Sequence, residues 1–511
     1  MRGPIRITVQ ATFDHMGHRA WLGIVLLVTA VACSDGVSTE TESNQQRVAA
    51  VREWSSSLEW EDCAGGLECT TFEVPYDYEN PSVGTFILPA TRRLADNLGE
   101  RIGTLLINPG GPGVAALDFV AYADQIFSKS IIDRFDIIAW DPRGVGQSDP
   151  HIDCVDNMDD YFALDPSPDD ESETQLLTSG AEVFASACMT RSGDFLPYVS
   201  TINAASDMDV LRRALNEEQI SYLGFSYGTD LGATWATLFP ETVRAAVLDA
   251  AVDPTKGYID DLLLQAGGFE SSLNAFLTKC NTSQCSFMKV NESAEDAFDR
   301  ILLSLDQNPI SNDGGRVATN QGVAQTGIAG ALYGDYQWPQ LESALSAADL
   351  GDGQPLLILF DEYFGRDSSG LTDDSLDAYF GISCIDRDEQ ITPDQVLNLK
   401  SRLQDIAPRL GAGWIQEMLI CGNWDIAPSG GFEVSADTEN RIVVVGSTGD
   451  AATPLEGTRN MVTALGRARL VISPLEQHTT YGTDTCVTEI VDEYLLNLTD
   501  GPDITTCDSG V

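Results

Sequence analysis

Short, continuous apolar runs, each stopped by glycine, proline or aspartate, recur through the first half of the chain. Thr104-Leu-Leu-Ile107 ends in a Pro/Gly cluster, and Phe135-Asp-Ile-Ile-Ala-Trp140 ends in Asp141-Pro-Arg-Gly144. Ile220-Ser-Tyr-Leu223 runs into Gly224, and Val243-Arg-Ala-Ala-Val-Leu248 into Asp249. Runs that are apolar on both faces, with helical stretches between them, predict buried parallel strands of an α/β sheet. From about 251 to 435 the period changes to that of helices. Ala294, Ala297, Phe298, Ile301, Leu302 and Leu305 form one stripe, and Leu341, Ala344, Leu345 and Ala348 another. Thr392-Pro393-Asp-Gln395 reads as a capping box with proline at the first helical position, leading into Val396, Leu399 and Leu403. The strand pattern then returns in Ile442–Val445 and Ala468–Ile472. There is no internal repeat. The expected organisation is a sheet domain over 51–250, a helical insertion over 251–435, and completion of the sheet over 436–511.

The N-terminal end carries a different pattern. Arg19 precedes an unbroken apolar run from Trp21 to Ala32, followed by Cys33 and a polar stretch. That run is shorter than the roughly 20 residues needed to span a bilayer, and suits the core of a secretory signal. Ala30 and Ala32 before Cys33 suggest a bacterial lipoprotein site, so 1–33 is read as a signal segment with Cys33 lipidated. An ordinary signal cut near Ala32 is the alternative. Met16-Gly-His-Arg19 also makes a compact charged start, so translation from either Met1 or Met16 is open. Residues 34–50, rich in Ser, Thr, Glu, Asn and Gln, are expected to be a solvated tether. Export to a secreted or envelope-bound state fits the cysteines. With Cys33 set aside, the other ten of eleven fall into neighbouring pairs: Cys63 with Cys69, Cys154 with Cys188, Cys280 with Cys285, Cys384 with Cys421, and Cys486 with Cys507. Local pairing is a preference that spacing alone does not fix.

Charge narrows the partners. A net charge of −49 argues against nucleic acid or anionic lipid, since phosphate contacts need clustered cations. Membrane attachment is therefore expected only through lipid at Cys33. No C-x-x-C spacing is present and histidines are few, so neither a metal site nor a cofactor is expected.

The candidate chemistry centres on Gly224-Phe-Ser226-Tyr-Gly228, between an apolar strand and a small-residue helix. A serine on a tight strand-to-helix turn, with glycines allowing neighbouring chain to approach, is the nucleophile arrangement of the α/β-hydrolase fold. The helix start adds positive backbone dipole beneath it. In that fold the serine is followed along the chain by an acid and then a histidine. Past the signal run only His151 and His478 remain; His151 precedes the serine, so His478 is the candidate base. Asp450, after the strand Ile442–Val445, is the candidate acid, with Glu476 as a rival. An oxyanion hole needs two backbone N–H groups. One belongs to Tyr227, which follows the nucleophile, and Gly111 in Asn108-Pro-Gly-Gly-Pro-Gly113 is the candidate for the second.

Together, Asn108–Gly113, Asp141-Pro-Arg-Gly-Val-Gly-Gln-Ser148, Gly224–Thr229, Asp450–Pro454 and His478 resemble the secreted tripeptidyl aminopeptidases of actinobacteria. Those enzymes are relatives of proline iminopeptidase. Ile382-Ser-Cys384-Ile-Asp386 and Cys421-Gly-Asn-Trp424 are similar to that family's C-terminal region, and the likeness extends from about Trp54 to Cys507. The resemblance implies an α/β-hydrolase fold with a helical cap. It also implies a Ser226–His478–Asp450 acyl-enzyme mechanism that releases short peptides, tripeptides above all, from free N-termini without a cofactor. An esterase or other acyl hydrolase with the same residues is the alternative. A peptide's α-ammonium group would need carboxylates at the blind end of its pocket, supplied by the insertion, and Asp386 is one candidate.

Overall fold

The computed structural model describes residues 37–508, apart from 367–369 and 371. The signal segment, Met16 and Cys33 lie outside the described residues. The chain builds a ten-stranded sheet in the order β1-β2-β3-β5-β4-β6-β7-β8-β9-β10. The strands are β1 Glu61–Asp62, β2 Glu68–Pro75, β3 Thr85–Arg93, β4 Gly103–Asn108, β5 Phe135–Trp140, β6 Ile220–Phe225, β7 Val243–Asp249, β8 Ile442–Ser447, β9 Ala468–Ser473 and β10 Ile504–Thr506. β1, β2 and β3 pair antiparallel, as does β3 with β5, and every pairing from β5 through β4 to β10 is parallel.

All six apolar runs are strands of the parallel region. Their continuity follows from burial on both faces. In β4, Leu106 joins one core, while Leu105 and Ile107 join the other. In β8, Val444 faces the first core, and Val443 and Val445 the second. Met208, Leu211, Leu231 and Trp235, from the helices Thr201–Ala214 and Tyr227–Leu238, complete the first core. Ile131, Ile132, Val487 and Val491, from Lys129–Arg134 and Thr485–Asn497, complete the second.

Between β7 and β8 the regular elements among the described residues are all helices, from Tyr258–Ser283 to Gly411–Gly422. The stripe from Ala294 to Leu305 is the buried face of the helix Ala294–Gln307. Thr392 and Gln395 form the capping box, but the helix they open stops at Leu397, and Leu403 belongs to a second helix, Lys400–Ile406. The five disulfides join the neighbouring cysteines: Cys63–Cys69, Cys154–Cys188, Cys280–Cys285, Cys384–Cys421 and Cys486–Cys507.

Two features differ from expectation. The stretch read as a solvated tether is helical from Val37 to Glu53. Its last turns have something to bury: Val51 is fully enclosed, and Arg47 donates to Asn203 Oδ1 at 2.7 Å. The antiparallel strands β2 and β3 were not anticipated. Their faces alternate, with Phe72 and Val74 in β2 and Phe86, Leu88 and Ala90 in β3 turned inward, so neither shows a continuous apolar run.

Two buried carboxylates fix the loops beside the future site. Asp141 accepts N–H bonds from Ala116 at 2.7 Å and Gln147 at 2.8 Å, tying the chain after β4 to the end of β5. Asp207 pairs with the fully buried Arg143, whose guanidinium also donates to the carbonyls of Tyr76 and Tyr198. A buried pair of this kind is sustained by the additional hydrogen bonds.

Candidate active site

Ser226 lies between β6 and the helix Tyr227–Leu238, at φ 53° and ψ −123°. A serine there is strained, and the neighbouring packing holds it. Its N–H donates to the Asp249 carbonyl at 2.9 Å. The flanking glycines answer to close approach: a Cβ on Gly224 would come within 2.3 Å of the Gly228 carbonyl oxygen, and one on Gly228 within 2.8 Å of Asn108 Oδ1. Asn108 Oδ1 also accepts the Gly110 N–H at 3.0 Å, folding the glycine loop back over the serine. A Cβ on Gly110 would lie 3.0 Å from Ser226 Cβ, so loop and serine are in direct contact. Gly111 follows at φ 108°. Neither its N–H nor that of Tyr227, the first residue of its helix, is taken by a backbone carbonyl among the described residues.

Asp450 and His478 come together from the loops after β8 and β9. His478 Nδ1 lies 3.0 Å from each carboxylate oxygen of Asp450. Asp450 is enclosed and held by its own turn: Oδ1 accepts N–H bonds from Ala452 at 3.0 Å and Thr453 at 2.8 Å, and Oδ2 accepts the Thr453 hydroxyl at 2.8 Å. Burial disfavours a charged His478, but the adjacent Asp450 outweighs it, and the imidazole pKa is raised above its ordinary 6.5. Glu476, the rival acid, packs instead against Gly449, where a Cβ would meet its Oε2 at 2.2 Å. His151 is half exposed, with Asp374 at 3.9 Å.

The helical segment between β7 and β8 reaches both halves of this constellation. The Tyr333 carbonyl accepts the His478 N–H at 2.7 Å, and the two rings meet edge to face at 5.5 Å. A Cβ on Gly113 would lie 2.2 Å from the Ser375 carbonyl oxygen, so the helix Ser375–Ile385 rests on the glycine loop. Asp386, at the end of that helix, is not free to receive a ligand. Its carboxylate accepts the Thr201 N–H at 2.9 Å and the Thr201 hydroxyl at 2.6 Å, and that hydroxyl pairs with the Tyr227 phenol. Burial pushes Asp386 up to about 7.

Glu417 is a further carboxylate of the helical segment, with no sequence signal of its own. It sits on the helix Gly411–Gly422, and the Tyr379 phenol donates to its Oε1. Among the described residues its second oxygen accepts no hydrogen bond. Its charge also helps raise the phenol pKa values of Tyr258, Tyr333 and Tyr363, behind burial as the larger cause, and Tyr333 in turn packs on His478. Burial pushes Glu417 up to about 6. Nothing in Ile415-Gln-Glu417-Met418 sets it apart from the many solvated acids of the chain. Thr453 had a usable signal, three residues after Asp450 in the same turn.

Comparison with known proteins identifies the family. Residues 103–484 match the sequence profile of the family described as alpha/beta hydrolase fold. The chain is 32% identical to serine protease Hip1 of Mycobacterium tuberculosis over 505 residues, 96% of each chain. It is also 32% identical to carboxylesterase B of the same species over 479 residues, 90% of each. With the tripeptidyl aminopeptidase of Streptomyces lividans it shares 30% identity over 499 residues, 92% of this chain and 90% of that one.

Proposed function

The chain belongs to the alpha/beta-hydrolase family, and from that premise we propose that it is an exported serine exopeptidase releasing short peptides, tripeptides above all, from free N-termini. The observation that carries this reading is the Asp450–His478 pair, combined with a strained Ser226 beneath a glycine loop. Asp450 accepts from Nδ1 and holds the imidazole in the tautomer whose Nε2 can take a proton. His478 removes the Ser226 hydroxyl proton as Oγ attacks the scissile carbonyl. The Tyr227 and Gly111 N–H groups receive the developing oxyanion. The histidine then delivers its proton to the departing amine, and water, activated by the same base, hydrolyses the acyl-enzyme. No step requires a cofactor.

Glu417 supports the choice of an N-terminal amine as the recognised group. A carboxylate with one oxygen bonded to the Tyr379 phenol and the other unpaired suits a compact cation through charge and hydrogen bonding. Assay of tripeptide anilides with free and acetylated N-termini tests the reading. Acetylation should lower kcat/KM strongly, because it removes the cation and leaves the Glu417 carboxylate unpaired. Glu417→Gln should raise KM for the free-amine substrate and leave ester turnover unchanged. A second reading, an esterase, is favoured by the carboxylesterase-named relative and predicts turnover of esters alone.

A further inference from the structure

We infer that Asp249 is a positioning residue of the catalytic machinery, holding the nucleophile turn and the histidine loop at a fixed separation. The inference rests on the assignment of Ser226 and His478 as nucleophile and base. Asp249 ends β7, where it stands in register with Phe225 of β6 on one side and Val445 of β8 on the other. It is fully buried. Its two functional ends face the two halves of the site. The backbone carbonyl accepts the N–H of Ser226 at 2.9 Å. The side-chain Oδ2 accepts the N–H of Thr480 at 2.9 Å and of Tyr481 at 2.8 Å, two and three residues after His478. Oδ1 lies 3.5 Å from the Thr480 hydroxyl.

These bonds meet a local need. Thr479, between the histidine and the anchored pair, has φ 64°, a conformation that a β-branched residue adopts only under constraint. Its carbonyl accepts the Gln477 amide at 2.7 Å, and the Asp249 carboxylate anchors the two residues that follow it. Burial pushes the Asp249 carboxyl up to about 6, and the two backbone N–H bonds oppose that rise, so it stays charged at neutral pH. Asp249 is not the triad acid, because His478 Nδ1 already faces Asp450. Its charge nevertheless acts on the base. His478 and Asp450 are the charged groups that face Asp249, and Asp249 adds to the rise in the His478 pKa behind the larger effect of Asp450.

The test compares Asp249→Asn and Asp249→Ala with the wild-type chain, using a fluorophosphonate probe and a peptide anilide. Asparagine can keep a carbonyl oxygen toward the two N–H groups and turn its amide toward the Thr480 hydroxyl, so this variant is expected to fold. It should retain KM within twofold and lose about tenfold in kcat and in labelling rate. The acid limb of its kcat/KM profile should move to lower pH, because a negative charge near His478 has gone. Alanine, which orphans both N–H groups, should lose about 10²-fold or more in kcat. A folded Asp249→Asn enzyme with unchanged kcat and an unchanged acid limb would overturn the inference, as would a loss confined to KM. If the wild-type protein itself resists the probe, the assignment of Ser226 has failed rather than the role of Asp249.

Discussion

Gly110→Ala is the sharpest structural perturbation of the proposed oxyanion loop. The new Cβ would lie 2.5 Å from the Phe225 carbonyl oxygen and 3.0 Å from Ser226 Cβ, against 3.4 Å for the start of ordinary contact. The obstructing atoms are backbone and the root of the nucleophile, so no rotamer change relieves the clash. The loop must retreat by about 0.9 Å. A misplacement of about 1 Å costs roughly 10²-fold in rate, and losing an oxyanion donor costs roughly 10²–10³-fold. We therefore expect kcat to fall about 10²-fold, near 2.7 kcal/mol in barrier, with KM within a few-fold. The φ of +100° adds a stability cost of roughly 1–2 kcal/mol for any side chain. Steady-state hydrolysis of a peptide anilide measures the rate, and thermal melting measures the stability. Gly99→Ala is the control, since its Cβ would meet only Asn97 Oδ1 at 3.5 Å. A folded Gly110→Ala enzyme with kcat within threefold of wild type would refute the claim that this loop shapes the reacting centre.

Three further expectations can be checked with the same reagents. Asp450→Asn should cost about 10⁴-fold in kcat, whereas Glu476→Gln, whose carboxylate packs on Gly449, should change it less than threefold; the reverse order would move the acid. Because the His478 pKa is raised, kcat/KM should fall on acidification through an apparent value above 6.5, where the base becomes protonated. Below about pH 6 Glu417 also loses its charge, so KM for free-amine peptides should rise further while that for esters does not. Replacing Cys384 and Cys421 together by alanine opens a loop of separation 37, worth about 4 kcal/mol by loop entropy. A melting temperature unchanged in that variant would contradict a stabilising role.

The parallel sheet was legible because burial on both faces writes itself as unbroken apolar runs, and β4, β5, β6, β7, β8 and β9 all carry one. β2 and β3 escaped notice because an antiparallel strand near the sheet edge needs only alternate apolar residues, and Glu68-Cys-Thr-Thr-Phe72 barely shows them. At the site, legibility followed constraint. Ser226 was visible through its glycines, which close approach demands, and Asp450 and His478 through their order along the chain. The roles proposed for Glu417 and Asp249 left no mark in the sequence. One is a single acid in a chain of 78 acidic residues, and the other reads as the polar end of a strand. Only the fold reveals that Glu417 bonds the Tyr379 phenol and that Asp249 bonds both the Ser226 turn and the loop after His478. Asp386 shows the opposite failure: its motif drew attention, but its oxygens are engaged by Thr201.

The central claim is that Ser226 is a nucleophile activated by His478. Incubation of the mature protein with a fluorophosphonate, followed by peptide mass mapping, tests it in one measurement. One adduct per chain should form, on the peptide containing Gly224-Phe-Ser226-Tyr-Gly228, with loss of all hydrolysis. The adduct should be absent from Ser226→Ala and form at least 10²-fold more slowly in His478→Ala. Stoichiometric labelling at another serine, or hydrolysis that survives complete modification of Ser226, would contradict the account.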